Sequence, residues 1–173
     1  MMPFRRSFSY FAAIAALCAL RIALGAALPF RALGSFTLDD LLLARLADSL
    51  LHGQWLGPYN HEILTVGPVY PLWIALAYRI GVPLILSHQL LYVAACLLVL
   101  RALGPLVVSA PARIAVFALL LFGPYSMDFE ATRAVRDNFY TSLTLILLAV
   151  AWFRPLERLN YDSRRPRTPH AAG

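Results

Sequence analysis

The sequence predicts an all-α integral membrane protein: about four transmembrane helices, an amphipathic interfacial helix, and a re-entrant or interfacial apolar segment in the first outer loop. Three observations carry this. Of the 173 residues 60% are hydrophobic and the mean hydropathy is +0.67, which suits a chain dissolved in lipid better than a soluble domain with a large core. Apolar runs, those over 8–28 and 83–100 of near-bilayer length and those over 114–125 and 139–153 shorter, are separated by segments holding Gly, Pro and charge. Every basic residue other than histidine is an arginine, and the arginines crowd at the two ends as cytoplasmic anchors do. The formal charge of +6 therefore calls for no nucleic-acid partner. Cys18 and Cys96 sit in apolar runs without a CxxC or His-rich neighbourhood, so neither a disulfide framework nor a zinc site is indicated.

Arg5 and Arg6 precede the first span, 8–28, which reaches about 31 Å at the helical rise. A signal peptide opens in the same way, but this run is long for one and Arg21 interrupts it, so an uncleaved span is expected. The first outer loop, 29–82, holds the stretch Leu38 to Gly53. Thr37 and Asp40 stand at capping-box spacing, Leu38, Leu42, Leu46 and Leu50 form an apolar stripe, and Gly53 supplies a stop. That helix is too short and too charged to span, and is expected to lie on the membrane surface with Asp39 and Asp40 in its first turn. Trp55 and Tyr59 suit the headgroup level, and Gly57-Pro58 marks a turn. Val69 to Ile80 is apolar but short, as an interfacial or re-entrant segment would be.

Span 83–100 follows, then a turn from Arg101 to Arg113, span 114–125, the second outer loop 126–138, span 139–153, and a disordered Arg/Pro-rich tail over 154–173. If Val69 to Ile80 does not cross, Arg101, Arg113 and the tail arginines all fall inside. The expectation is a multi-pass protein of the plasma (inner) membrane with both termini cytoplasmic. The Asp39-Asp40 loop and the loop holding Asp128, Glu130, Arg133, Arg136 and Asp137 then share the outer face.

Such a face suits sugar transfer from a polyprenyl-phosphate donor. A carboxylate, Asp39 or Asp40, would take the acceptor's proton, and Arg133 and Arg136 would hold the phosphate, since arginines at i and i+3 share a helix face. A divalent cation could assist them; its ligands are unknown. Each feature has a plainer reading. First-turn acids meet the helix dipole for about 0.3–1 kcal/mol each, and Arg133 and Arg136 could simply pair with Glu130 and Asp137.

Asp39-Asp40-Leu41-Leu42-Leu43-Ala44-Arg45-Leu46-Ala47, followed by Gly53, Trp55 and Pro58, resembles the first outer loop of the GT-C glycosyltransferases. The similarity is to the branch of protein O-mannosyltransferases and lipid A aminoarabinose transferases. Gly67-Pro68-Val69-Tyr70-Pro71-Leu72-Trp73 looks like a degenerate form of that branch's Pro-Pro segment, and Arg133 to Tyr140 is similar to its second outer loop. The resemblance covers roughly residues 8–153. It implies Asp39 as catalytic carboxylate, with Asp40 where Glu is common, and Asp137 as the second-loop acid near phosphate or metal. Val66 and Gly67 stand where a basic residue usually precedes the Pro-Pro. The family has many more spans, so the expectation is an N-terminal portion, a truncated product or a split partner completed by a further subunit. The alternative is a non-catalytic multi-pass protein or assembly partner. A small transporter would want ionisable residues within spans, for which Arg21 is the main candidate. His52, His61, His88 and His170 have no metal-ligand spacing and read as ordinary interfacial or tail residues.

Overall fold

The computed structural model describes residues 3–27, 38–57, 67–123 and 136–164. Among them the chain forms six helices and no strand: α1 Pro3–Ala26, α2 Leu38–Leu51, α3 Val69–Arg79, α4 Leu84–Ala102, α5 Ala110–Leu121 and α6 Arg136–Arg164. Two of the described helical stretches, Phe8–Ala26 and Leu84–Ala102, are long and apolar enough to cross a membrane. At 19 residues each they reach about 28 Å, close to one hydrocarbon thickness.

α4 is the hub, packed against α1, α3, α5 and most extensively α6. Gly25 near the end of α1 meets Gln89 near the start of α4, whereas Ile14 and Leu100 share a core with Cys96, Phe117 and Leu121. These contacts make α1 and α4 antiparallel. The Tyr92 hydroxyl donates to the Leu120 carbonyl at 2.6 Å and ties α4 to the last turn of α5. One end of the bundle therefore gathers the C-terminal ends of α1 and α5 with the N-terminal ends of α4 and α6. α2 and α3 pack on each other, and α3 meets α4 at that end.

α2 spans the residues expected, and Gly53 ends it. Gln54 N–H donates to the Ser49 carbonyl at 2.9 Å and Gly53 N–H to that of Leu50 at 3.1 Å, a Schellman pair that requires the positive φ of 75° at Gly53. Val82 and Gly81 repeat the pattern on Ala77 and Tyr78 at the end of α3. Pro68 stands at the N-cap of α3, and Pro71, within the first turn, needs no donor there. With 11 residues it is about 16 Å long, too short to cross a bilayer.

Several expectations need correction. The apolar face of α2 does not lie free for a membrane surface. Leu43 is buried with Tyr70 and Phe139, and Leu46 with Leu56, so protein supplies the partner that lipid was expected to supply. The buried face is Leu43, Leu46 and Ala47 flanked by Leu42 and Leu50, turned from the expected stripe because α3 approaches from one side. The turn between α4 and α5 is shorter than Arg101 to Arg113. Ser109 caps α5 by accepting from Ala112 N–H at 3.3 Å, which brings Arg113 inside the helix. Its guanidinium folds back on the carbonyls of Val107 and Gly104, both at 2.6 Å. α5 consequently covers Ala110–Leu121 rather than 114–125, and 124–125 lie outside the described residues. α6 continues to Arg164 where a disordered tail was expected from 154. Arg154, Leu156, Glu157, Arg158 and Leu159 are good helix formers, and they carry the helix past Pro155. Residues 165–173 lie outside the described residues.

Candidate functional site

The backbone of Asp39 and Asp40 forms the first turn of α2, and their side chains lie outside what the structure describes. One turn further on is Leu43, 3% exposed. Arg136 and Asp137 open α6, both exposed, with Phe139, also 3% exposed, just beyond. Leu43, Tyr70 and Phe139 form one buried cluster, with Trp73, Ile74, Leu91 and Leu143 around it. The Phe139 ring lies 5.5 Å from that of Tyr70 and 5.3 Å from that of Trp73. A Cβ placed on Gly67 would come 3.7 Å from the Tyr140 hydroxyl, so the start of the Gly67-to-Trp73 stretch also reaches α6. Three stretches far apart in the sequence thus meet at one end of the bundle.

The loop stretches 58–66 and 124–135 lie outside the described residues, and with them Tyr59, His61, Asp128, Glu130 and Arg133. Asp48 and His52 pair at 3.5 Å on the exposed face of α2, away from the cluster. Trp55 is exposed beside a tight turn in which Gly53, Leu56 and Gly57 all have positive φ. Leu56 at 53° is the non-glycine residue among them, held there by burial against Leu46. Among the described residues no group of three or more His, Cys, Asp or Glu side chains gathers to hold a metal ion.

His88 corrects the sequence reading most sharply. It is not interfacial but buried, stacked on Tyr70 with ring centroids 5.6 Å apart. Its neighbours Ser87 and Gln89 are buried too. Trp73 Nε1 donates to Ser87 Oγ at 3.1 Å, and Ser87 donates to the Leu84 carbonyl at 2.7 Å. Gln89 lies across Gly25, where a Cβ would come within 2.5 Å of its Cγ. Arg21, 3% exposed, holds its guanidinium carbon 5.5 Å from the centre of the Tyr92 ring. The available signal was three consecutive polar residues inside an apolar run; periodicity does not say which way they face.

Among the described residues the chain is all-helical, with two helices long and apolar enough to cross a membrane and a cluster of polar and aromatic residues at one end of the bundle. No family model, curated protein or solved structure matches the chain.

Proposed function

We propose that this chain is a multi-pass membrane protein carrying the catalytic end of a GT-C-type glycosyltransferase, which moves a sugar from a polyprenyl phosphate on the outer face of the membrane. The observation that carries the reading is the meeting of the Asp39-Asp40 turn, the Gly67-to-Trp73 stretch and the Arg136-Asp137 turn around Leu43, Tyr70 and Phe139. Those three stretches bear the resemblance to the family, and a transferase needs its base and its phosphate-holding groups in one place. The membrane part is supported by the two long apolar helices and by large apolar side chains turned outward, such as Leu119 at 75% and Leu147 at 68% exposure.

In this reading the acceptor hydroxyl attacks the anomeric carbon as Asp39 takes its proton. The bond from that carbon to the phosphate oxygen breaks, and polyprenyl phosphate leaves with the electron pair. Arg136 offsets the charge gathering on the departing phosphate, and Asp137 is the acid that would help to hold a divalent cation beside it, which would supply further positive charge there. Asp40, beside the base, keeps the turn acidic. Both termini are cytoplasmic, so the helix ends that meet at the cluster face outward.

Asp39→Asn tests this directly. Asparagine keeps the shape of the side chain and caps a turn equally well, but it accepts no proton. Transfer should fall by about 10²–10⁴-fold with thermal stability nearly unchanged. Arg136→Ala should raise KM for the donor, because the phosphate is present before and during transfer. Full activity in Asp39→Asn would end the catalytic assignment of that residue.

A further inference from the structure

The turn joining α4 to α5 turns apolar side chains outward and closes its backbone on itself. No residue from 102 to 112 carries a charge. Pro105, Leu106 and Val108 are exposed, Leu106 at 63% and Val108 at 85%, and so are Ala110 to Ala112. Ser109, the exposed polar residue among them, uses its hydroxyl to cap α5 by accepting from Ala112 N–H. The turn after α2 makes the contrast, since it exposes His52 and Gln54 together with Trp55. In the α4–α5 turn Leu103 N–H donates to the Val99 carbonyl at 2.9 Å and Gly104 N–H to that of Arg101 at 3.1 Å. Leu106 and Val107 both donate to the Leu103 carbonyl at 3.0 Å, and Pro105 has no N–H to satisfy. The carbonyls of Gly104 and Val107 accept from the Arg113 guanidinium, each at 2.6 Å. A turn standing in water leaves such groups to solvent, whereas one in lipid must satisfy them within the protein.

Apolar exposure is continuous with the two helices, for Leu97 on α4 and Leu119 on α5 are also turned outward. α5 has 12 residues and is about 18 Å long, too short to cross a bilayer, so an apolar turn lengthens the lipid-facing stretch of this helix pair. Arg101, exposed one turn before the tip, has a stem long enough to place its charge among lipid phosphates. An uncharged apolar surface, a self-satisfied backbone and an arginine at its edge together match the boundary between headgroups and acyl chains. We propose that the α4–α5 turn is immersed in the membrane at that boundary rather than standing in cytoplasmic water. Val108 lies among acyl chains, and Arg113 serves as the internal cap that lets the turn leave water. Leu106, midway between the two helices, lies in the wet headgroup layer, where a water-borne reagent on that side still reaches it. This inference rests on the membrane part of the reading above and not on the transferase part.

The test uses the full chain in nanodiscs, with Cys18 and Cys96 replaced by alanine and a single spin label attached through Val108→Cys, Leu97→Cys or Asp48→Cys, all at exposed positions. Relaxation of the label by oxygen, which gathers in lipid, is compared with relaxation by a water-soluble nickel chelate. The label at 48 should respond to the nickel chelate, and those at 97 and 108 to oxygen, with 108 the shallower of the two. A label at 108 that responds to nickel while 97 responds to oxygen overturns the immersed turn and leaves the membrane reading standing. Nickel response at 97 as well removes the membrane reading and this inference with it. A label at 108 that neither reagent reaches is covered by protein, a second copy or another chain, and overturns the lipid assignment. Stability gives an independent measurement. Val108→Asp should lower Tm by about 2–8 °C relative to Val108→Leu, because a charge is costly at that depth, whereas in water a change at so exposed a position costs little. Equal Tm values for the two variants overturn the proposal.

Discussion

α2 and α4 are both leucine-rich helices carrying a few polar residues, and they place those residues in opposite surroundings. In α2, Arg45 and Asp48 face out while Leu43, Leu46 and Ala47 face in. In α4, Ser87, His88 and Gln89 face in, while Leu90 and Leu97 are exposed. The first pattern is that of a helix lying between water and protein. The second is that of a helix whose outside is apolar, so that polar groups find partners only within the bundle or on a ligand. A leucine stripe therefore fixes a facing direction only where the opposite face is polar.

The two helices join through Phe139, and removing it should have the largest effect on stability. Phe139 is buried against Tyr70 and Trp73 and shares their cluster with Leu43. Phe139→Ala should cost about 3–5 kcal/mol in chemical unfolding, with the α2–α3 pair loosening first under limited proteolysis. If α2 and α3 instead keep their protection, the two regions are independent and the comparison fails.

How much of this was legible in the sequence follows from the same contrast. The extent of α2, its Gly53 stop and the start of α4 could be read because alternation between leucine and charge, a glycine and a proline are local signals. The partner of the α2 stripe could not, since Leu43 and Leu46 look the same whether they face lipid or α3. His88 was legible as a residue but not as a buried one, because its surroundings come from Tyr70 in another helix. The meeting of the Asp39, Gly67 and Arg136 stretches was foreseeable only from a shared face, whereas their closeness depends on the packing of Leu43, Tyr70 and Phe139.

A smaller effect sharpens the α4 side. Gly25→Ala would press a methyl group against Gln89 and should cost about 1–3 kcal/mol, measured by thermal or chemical unfolding. Gln89→Ala should relieve most of that cost, so the double variant should show strong coupling. Additive losses would mean that Gln89 moves aside freely and does not lie pressed on α1. The smallest effect sharpens the α2 side. Nothing lies within 4 Å of a Cβ at Gly53, so Gly53→Ala should lose only the backbone preference at positive φ, about 1–2 kcal/mol. A much larger loss would show that the end of α2 is held by packing.

The central claim is that the α2 loop and the start of α6 share the outer face of a membrane, and cysteine accessibility tests it most directly. Cys18 and Cys96 are first replaced by serine or alanine, and single cysteines are then introduced as Asp48→Cys, Asp137→Cys and Leu106→Cys, all at exposed positions. The account predicts that a membrane-impermeant maleimide labels the variants at 48 and 137 in intact cells, and the variant at 106 only after permeabilisation. Labelling of 48 and 137 from opposite sides, or of all three from outside, would contradict it.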